Sequence, residues 1–450
     1  MRFPFLLYLF LLIGVDQVWA QEEEKKLELR PDLHFRTFWM STSYPGLDFK
    51  EDYALGMSLN LGGKIKYREN WTFHAGYRMF ANVWSSQIWD PDPISSQSNR
   101  YETGLFDLLN PKDRFFGRLE TLSLEYSQEK FGLKIGRMGI NSDWVNAQDG
   151  RLAPTAVEGG YAWFQPDKRW KFGIWGVGRM NIRGSKAWLN PGETVGIYPQ
   201  GRNASGKPAD YFQNTTSKTL MILEVDRSLN EGAKVHFSAT MAQNLFSTYW
   251  LAFDKNRKGD IGSFFYGIQA GFQHGLGKGG NPNSELRYKD PEDLNYSVSG
   301  RLGWSSSRWL THFSLTHVGG KGRWLSPREW GKDAWYTFIP RERNEGFSTV
   351  HAWVGYGEYR FQKVPMQIYV HAGIHRLADE NDPASNKYNF PSYFQWNLGW
   401  NYRTAKVKNL SFHLILMSKQ PLRAENLSIN QIYNKVELLH INGIINWRWN

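Results

Sequence analysis

From Leu55 to Trp84 apolar and polar side chains alternate along two arms joined by the turn Arg68-Glu69-Asn70. Leu55, Met57, Leu59, Leu61, Ile65 and Tyr67 alternate with Gly56, Ser58, Asn60, Gly62, Lys64 and Lys66. After the turn, Trp71, Phe73, Ala75, Tyr77, Met79, Ala81 and Val83 are set against Thr72, His74, Gly76, Arg78 and Asn82. A period of two puts each set on one face of a strand. Arms of about 13 residues exceed the ~5–6 of a soluble strand and suffice for a tilted membrane crossing. Tyr67 and Trp71 flank the turn, where an aromatic girdle meets lipid head groups. The pattern predicts a hairpin of a transmembrane barrel, with one face for lipid and one for a wet lumen.

The N-terminal segment points the same way. Met1-Arg2, the apolar run Phe3 to Val15 and the small-residue site Val18-Trp19-Ala20 predict a secretory signal over 1–20, cleaved before Gln21. The run is too short for a membrane anchor, which needs ~20 apolar residues. With no Cys, the chain has neither disulfide nor lipid-modified cysteine, so anchoring must come from the fold. The 21 Trp, 22 Tyr, 28 Phe and 43 Gly are unusual for a soluble enzyme. A mean hydropathy of −0.55 suits a barrel with a polar lumen and long polar loops. The net charge of +11 is spread without a polybasic block, which argues against nucleic acid and for a field that attracts anions.

The hairpin recurs along the chain. Leu119 to Met138, Tyr161 to Asn181, Thr219 to Asn244, Leu245 to His274, Tyr296 to Val318, Val350 to His375 and Tyr393 to Met417 repeat the unit, the arm Leu245 to Phe253 least clearly. An opening strand over Leu27 to Met40 and a closing one over Val436 to Trp449 bring the count to about eighteen, within 16–20, and such barrels favour even numbers. Short turns alternate with long loops near 41–54, 85–114, 139–158, 183–217, 275–293, 319–349, 376–392 and 418–435. The expected fold is all-β: a single transmembrane antiparallel barrel over 21–450, with short periplasmic turns and long extracellular loops. About six residues separate the cleavage site from the first strand, too few for a plug domain.

Catalytic signatures are weak. Gly275-Leu276-Gly277-Lys278-Gly279-Gly280 has the G-x-G-x-x-G spacing, but a nucleotide loop must lead into a helix and Asn281-Pro282-Asn283-Ser284 follows. It reads as an outer loop. His371 and His375 lie four apart on a strand, roughly 13 Å, too far to share a metal. No G-x-S-x-G elbow occurs, and no acid pair stands out. The reading calls for no enzyme activity, no cofactor and no metal.

Lumen parity places Lys64, Lys66, Arg78, Lys134, Arg179, Arg301, Arg360 and Arg403 on the inner face, with Arg78 and Arg301 deepest in the wall. The segment Phe131 to Gly160 runs from a strand ending Gly136-Arg137-Met138 into Asp149-Gly150-Arg151-Leu152-Ala153-Pro154-Thr155-Ala156-Val157-Glu158-Gly159. Here the chain resembles the OprD family of outer-membrane porins. Its length, its strand count and the closing segment Leu439 to Trp447 are similar too, although it ends Trp449-Asn450 rather than on an aromatic residue. The resemblance implies eighteen strands, a monomeric or trimeric state, a third loop folded inward, and a ladder of basic side chains for carboxylate-bearing solutes. Candidates for that ladder are Arg78, Lys134, Arg151, Arg179 and Arg301. Asp149, Arg151 and Glu158 are candidates to pin or form the constriction loop.

The expected function is passive, selective diffusion of small anionic solutes such as amino acids, organic acids and small peptides across an outer membrane. Expected partners are outer-membrane lipid, the solutes themselves and the barrel-assembly machinery. A barrel hydrolase, or a polysaccharide exporter or adhesin, would share the architecture.

Overall fold

The computed structural model describes residues 27–148, 151–198 and 201–449. The expected signal over 1–20 and the constriction candidate Asp149 lie outside these described residues.

Eighteen antiparallel strands form one sheet. They are β1 (Leu27–Ser43), β2 (Asp52–Tyr67), β3 (Trp71–Ser85), β4 (Phe115–Ser127), β5 (Phe131–Gly139), β6 (Ala156–Phe164), β7 (Trp170–Asn181), β8 (Leu220–Ser228) and β9 (Ala233–Ala242). The second half comprises β10 (Phe246–Gly259), β11 (Gly262–Gly275), β12 (Leu294–Ser305), β13 (Trp309–Lys321), β14 (Val350–Arg360), β15 (Met366–Leu377), β16 (Tyr393–Arg403), β17 (Leu410–Pro421) and β18 (Leu438–Trp449). Each strand pairs with the next in sequence. β18 then pairs back onto β1, with Leu33 opposite Trp449 and Ser43 opposite Leu439. Closure satisfies the edge strands' backbone groups, which lipid cannot do.

The period-two pattern sorts side chains as expected. Leu61, Ile65, Phe73, Leu122, Leu124, Leu133 and Ile135 keep their apolar groups on the outer surface. An exposed apolar surface of this kind is what a lipid-facing belt requires. Along β2 the inward residues Asp52, Ala54, Gly56, Ser58 and Asn60 are buried, because folded loops cover them from inside.

Parity is interrupted at bulges. Glu158 pairs with Arg179 while Gly159 pairs with Val177, so Gly178 is one residue too many on β7 and the faces swap above it.

One end of the barrel carries only short turns, from two residues at 260–261 to six at 404–409. The other carries the loops, labelled in chain order: L1 (44–51), L2 (86–114), L3 (140–155), L4 (182–219), L5 (243–245), L6 (276–293), L7 (322–349), L8 (378–392) and L9 (422–437). L5 is a tight turn. Loop and inward wall residues pack together inside the barrel. Phe38, Met40 and Phe80 of the wall meet Phe106 of L2 and Leu152 of L3. Trp144 of L3 packs with Trp250 of β10 and with Trp324 and Trp335 of L7. The loop-side half of the lumen is thus narrowed by folded loops.

Candidate functional site

L3 is fixed to the wall by a buried ion cluster. Glu120 of β4 takes a paired hydrogen bond from Arg78 of β3, Nε and Nη2 each donating at 2.8 Å. Arg118 donates to the same carboxylate at 2.8 Å. Arg118 then reaches the Pro154 carbonyl of L3 at 2.9 Å and the Ser185 carbonyl of L4 at 2.8 Å. Ser58 of β2 donates to the Leu152 carbonyl at 2.8 Å. Two glycines make room. A Cβ on Gly56 would stand 2.6 Å from Leu152, and one on Gly104 1.9 Å from the Arg151 guanidinium. Arg151 thereby lies against L2 and donates to the Tyr101 carbonyl at 2.7 Å. At its other end, L3 places Asp143 against His236 of β9 at 2.9 Å, and His236 also contacts Asp226 of β8 at 2.8 Å.

L7 is a second inward loop, anchored to the wall on both sides. Its Asn344 meets His375 of β15 at 2.8 Å, and its Pro340 carbonyl accepts from Gln395 and Asn397 of β16 at 2.9 and 3.0 Å. Tyr336 donates to Asp254 of β10 at 2.7 Å, and Gln273 of β11 exchanges two hydrogen bonds with the backbone of Leu325. L3 and L7 are also joined to each other. The Asn146 side chain accepts from the Lys332 N–H at 3.0 Å, and Gln148 donates to the Arg328 carbonyl at 2.8 Å.

Between these loops lies a cavity of about 400 Å³. Its lining carries the cations Arg100, Arg151, Arg183, Arg328, Lys332, Arg341 and Arg343 against one carboxylate, Glu342. Glu342 is held by Arg100 and Lys419 at 2.8 Å and by Arg328 at 3.0 Å. Burial alone would raise its pKa, but these three cations hold it well below the usual carboxylate range. Arg151 is lowered to about 9 by burial and by nearby Arg183, and still carries its charge at neutral pH. Lys332 is exposed, and its ammonium has no ion-pair partner among the described residues. The cavity is therefore positively charged, with an apolar side formed by Ile88, Trp89, Ile197 and Phe338.

The residues singled out from sequence divide into three groups. Arg151 lines the cavity. Arg78, Lys134 and Arg301 face the lumen, each beside an acid: Arg78 on Glu120, Lys134 on Glu125 at 3.3 Å, and Arg301 on Asp254 at 2.9 Å. Arg179 and Glu158 do not face it. Glu158 belongs to β6 rather than to the loop, and it stands opposite Arg137, which stands opposite outward-facing Leu122. The β7 bulge turns Arg179 out beside them, 57% exposed. The placement of Arg179 corrects the parity reading, which had no means of counting Gly178 as an extra residue. The placement of Glu158 corrects the reading of it as a loop residue, because β6 already begins at Ala156. The L7 cations were missed altogether. Their signal was Trp324, Trp330 and Trp335 in a loop expected to be polar.

No family model and no curated protein matches the chain. Solved structures do. Pseudomonas aeruginosa OpdK with vanillate is 12% identical with a TM-score of 0.71, covering 94% of this chain and 98% of that one. P. aeruginosa OccK2 (OpdF) in complex with glucuronate is 12% identical with a TM-score of 0.67, at the same coverage. Acinetobacter baumannii OccAB2 is 12% identical with a TM-score of 0.72, covering 95% and 99%. The chain has the closed eighteen-stranded barrel fold of these OprD-type outer-membrane channels.

Proposed function

We propose that this protein is an outer-membrane channel for passive diffusion of small, carboxylate-bearing anions. The observation that carries the reading is the cavity between L3 and L7, where seven cationic side chains face one carboxylate already claimed by three cations. A guanidinium fork grips a carboxylate through paired hydrogen bonds. Several weak sites in series conduct, whereas one tight site would trap the solute. Arg151, Lys332 and Arg341 form the narrow part of the path. Arg301 and Lys134 continue it along the wall, and Arg78 serves chiefly to hold L3. A volume of about 400 Å³ suits a small solute. Vanillate and glucuronate, which accompany two of the similar structures, both bear a carboxylate. The segment 1–20 acts as the export signal.

The test is single-channel conductance in a planar bilayer under a salt gradient. Discrete openings with anion preference, reduced in Lys332→Gln, support the reading. A barrel that inserts but stays silent, or that prefers cations, overturns it.

A further inference from the structure

The outer face of the barrel has a charge pattern that solute passage does not use. From β11 to β16 the outward-facing positions include no Asp or Glu. Their basic and imidazole groups all stand near the loop end: His274, His317, Lys321, His351 and Arg376. Three of these form a row across adjacent strands. His317 of β13 is directly opposite His351 of β14, and His351 is directly opposite Arg376 of β15. Exposed Leu315, Trp353 and Ile374 share their parity, so the row faces outward.

The imidazole rings of His317 and His351 are 4.6 Å apart. Trp353 lies beneath the row, stacked on His351 and 5.8 Å from the Arg376 guanidinium. On the other side the Tyr296 hydroxyl is 3.4 Å from His317 Nε2, its ring lying where a side chain on Gly319 would have to be. Arg376 has no ion pair among the described residues.

Depth decides what such a row can meet. His317 and His351 stand eight residues above Trp309 and Tyr359, the aromatic pair at the turn end. At ~3.3 Å per residue and a tilt of ~40°, that is roughly 20 Å, close to the far edge of an apolar band ~25 Å tall. Polar groups there are costly unless an anion or water satisfies them. Each imidazole offers an N–H donor in either protonation state, and Arg376 offers a charged fork.

We propose that His317, His351 and Arg376 bind the phosphoryl headgroup of an outer-leaflet lipid, whose acyl chains lie along the apolar face below. The proposal rests on the outer-membrane reading for its orientation, but not on conduction. The test uses the full-length barrel in non-ionic detergent, titrated with bis-phosphorylated lipid A and with its dephosphorylated form, binding being read as a shift in Tm.

The expected result is a saturable rise with the phosphorylated lipid alone. Arg376→Gln and His351→Gln should weaken it roughly tenfold, the scale of one charge-assisted hydrogen bond, with partial recovery in Arg376→Lys. Equal binding of both lipids, or unchanged binding in the variants, overturns the proposal. So does a shift given only by Zn²⁺ and reversed by EDTA, which would make the two imidazoles a metal site. A lipid-free Tm equal to that of the wild type establishes that the variants fold. A wild-type barrel that binds the lipid but never conducts would sink the channel reading alone.

Discussion

At the scale of single residues, what matters is whether a cation is already occupied. Arg343 is bound to Asp333 at 2.9 Å and Arg328 to Glu342 and Glu345. Lys332 has no such partner among the described residues, so its field acts on whatever enters the cavity. Lys332→Gln should lower the anion-to-cation permeability ratio roughly twofold, read as a shift in reversal potential, while the barrel's Tm stays within a degree or two. Arg179→Gln is the contrasting case. Because the bulge at Gly178 turns Arg179 outward, its removal should leave ion selectivity unchanged. A selectivity change as large as that of Lys332→Gln would mean that Arg179 reaches the lumen after all. Gly104→Ala tests the close approach from the other side. The new methyl would occupy the place of the Arg151 guanidinium, so Arg151 must leave the Tyr101 carbonyl and single-channel conductance should change.

Among the elements, the end of L3 next to β3 and β4 converges on one carboxylate. Glu120, Arg78 and Arg118 are nearly inaccessible, and the two guanidinia carry the contacts to L3 and L4. Breaking a buried ion cluster by removing one partner costs ~3–5 kcal/mol, because charge is left without compensation. Glu120→Gln should therefore lower Tm and give larger, noisier openings as L3 loosens. Unaltered single-channel noise would show that the other contacts of L3, among them Trp144 packing and the Asp143–His236 pair, hold the loop without the cluster. The same elements mark how far the sequence could be read. Strands such as β2 and β3 were legible because each turns a wettable face inward and an apolar one to lipid. β10 was doubtful at its start because the three-residue connection 243–245 has none of the length of the other loops. Its far end, Lys255 to Lys258, is polar on both faces. The cavity lining was legible only in part. Arg151 stood out in a dense run of charge, whereas Arg341 and Arg343 of L7 sit in a loop with no period, and only packing shows that L7 turns inward.

For the whole molecule, the loops hold acids whose titration moves in opposite directions. Glu102 of L2 is fully buried, and burial pushes its pKa up to about 7 despite hydrogen bonds from Thr42 and Asn99. Burial also raises Glu329 and Asp333 of L7. Glu342 goes the other way, so its contribution is present above the ordinary carboxylate range and is lost only in stronger acid. Between about pH 4.5 and 7 the folded chain holds a proton on Glu102 that the unfolded chain has released. Stability linked to Glu102 must then fall as pH rises through that window and level off above 7. Other groups titrate in the same range, so the informative quantity is a difference. The Tm of the wild type minus that of Glu102→Gln should decline from about pH 5 to 7 and stay flat from about 7 to 8. A difference that is flat throughout would mean that Glu102 is already ionised at the acid end of the range. Since Glu102 adjoins Tyr101, whose carbonyl holds Arg151, the same titration should reach the cavity, and the ratio of wild-type to Glu102→Gln conductance should change with pH over that window and stay flat above it.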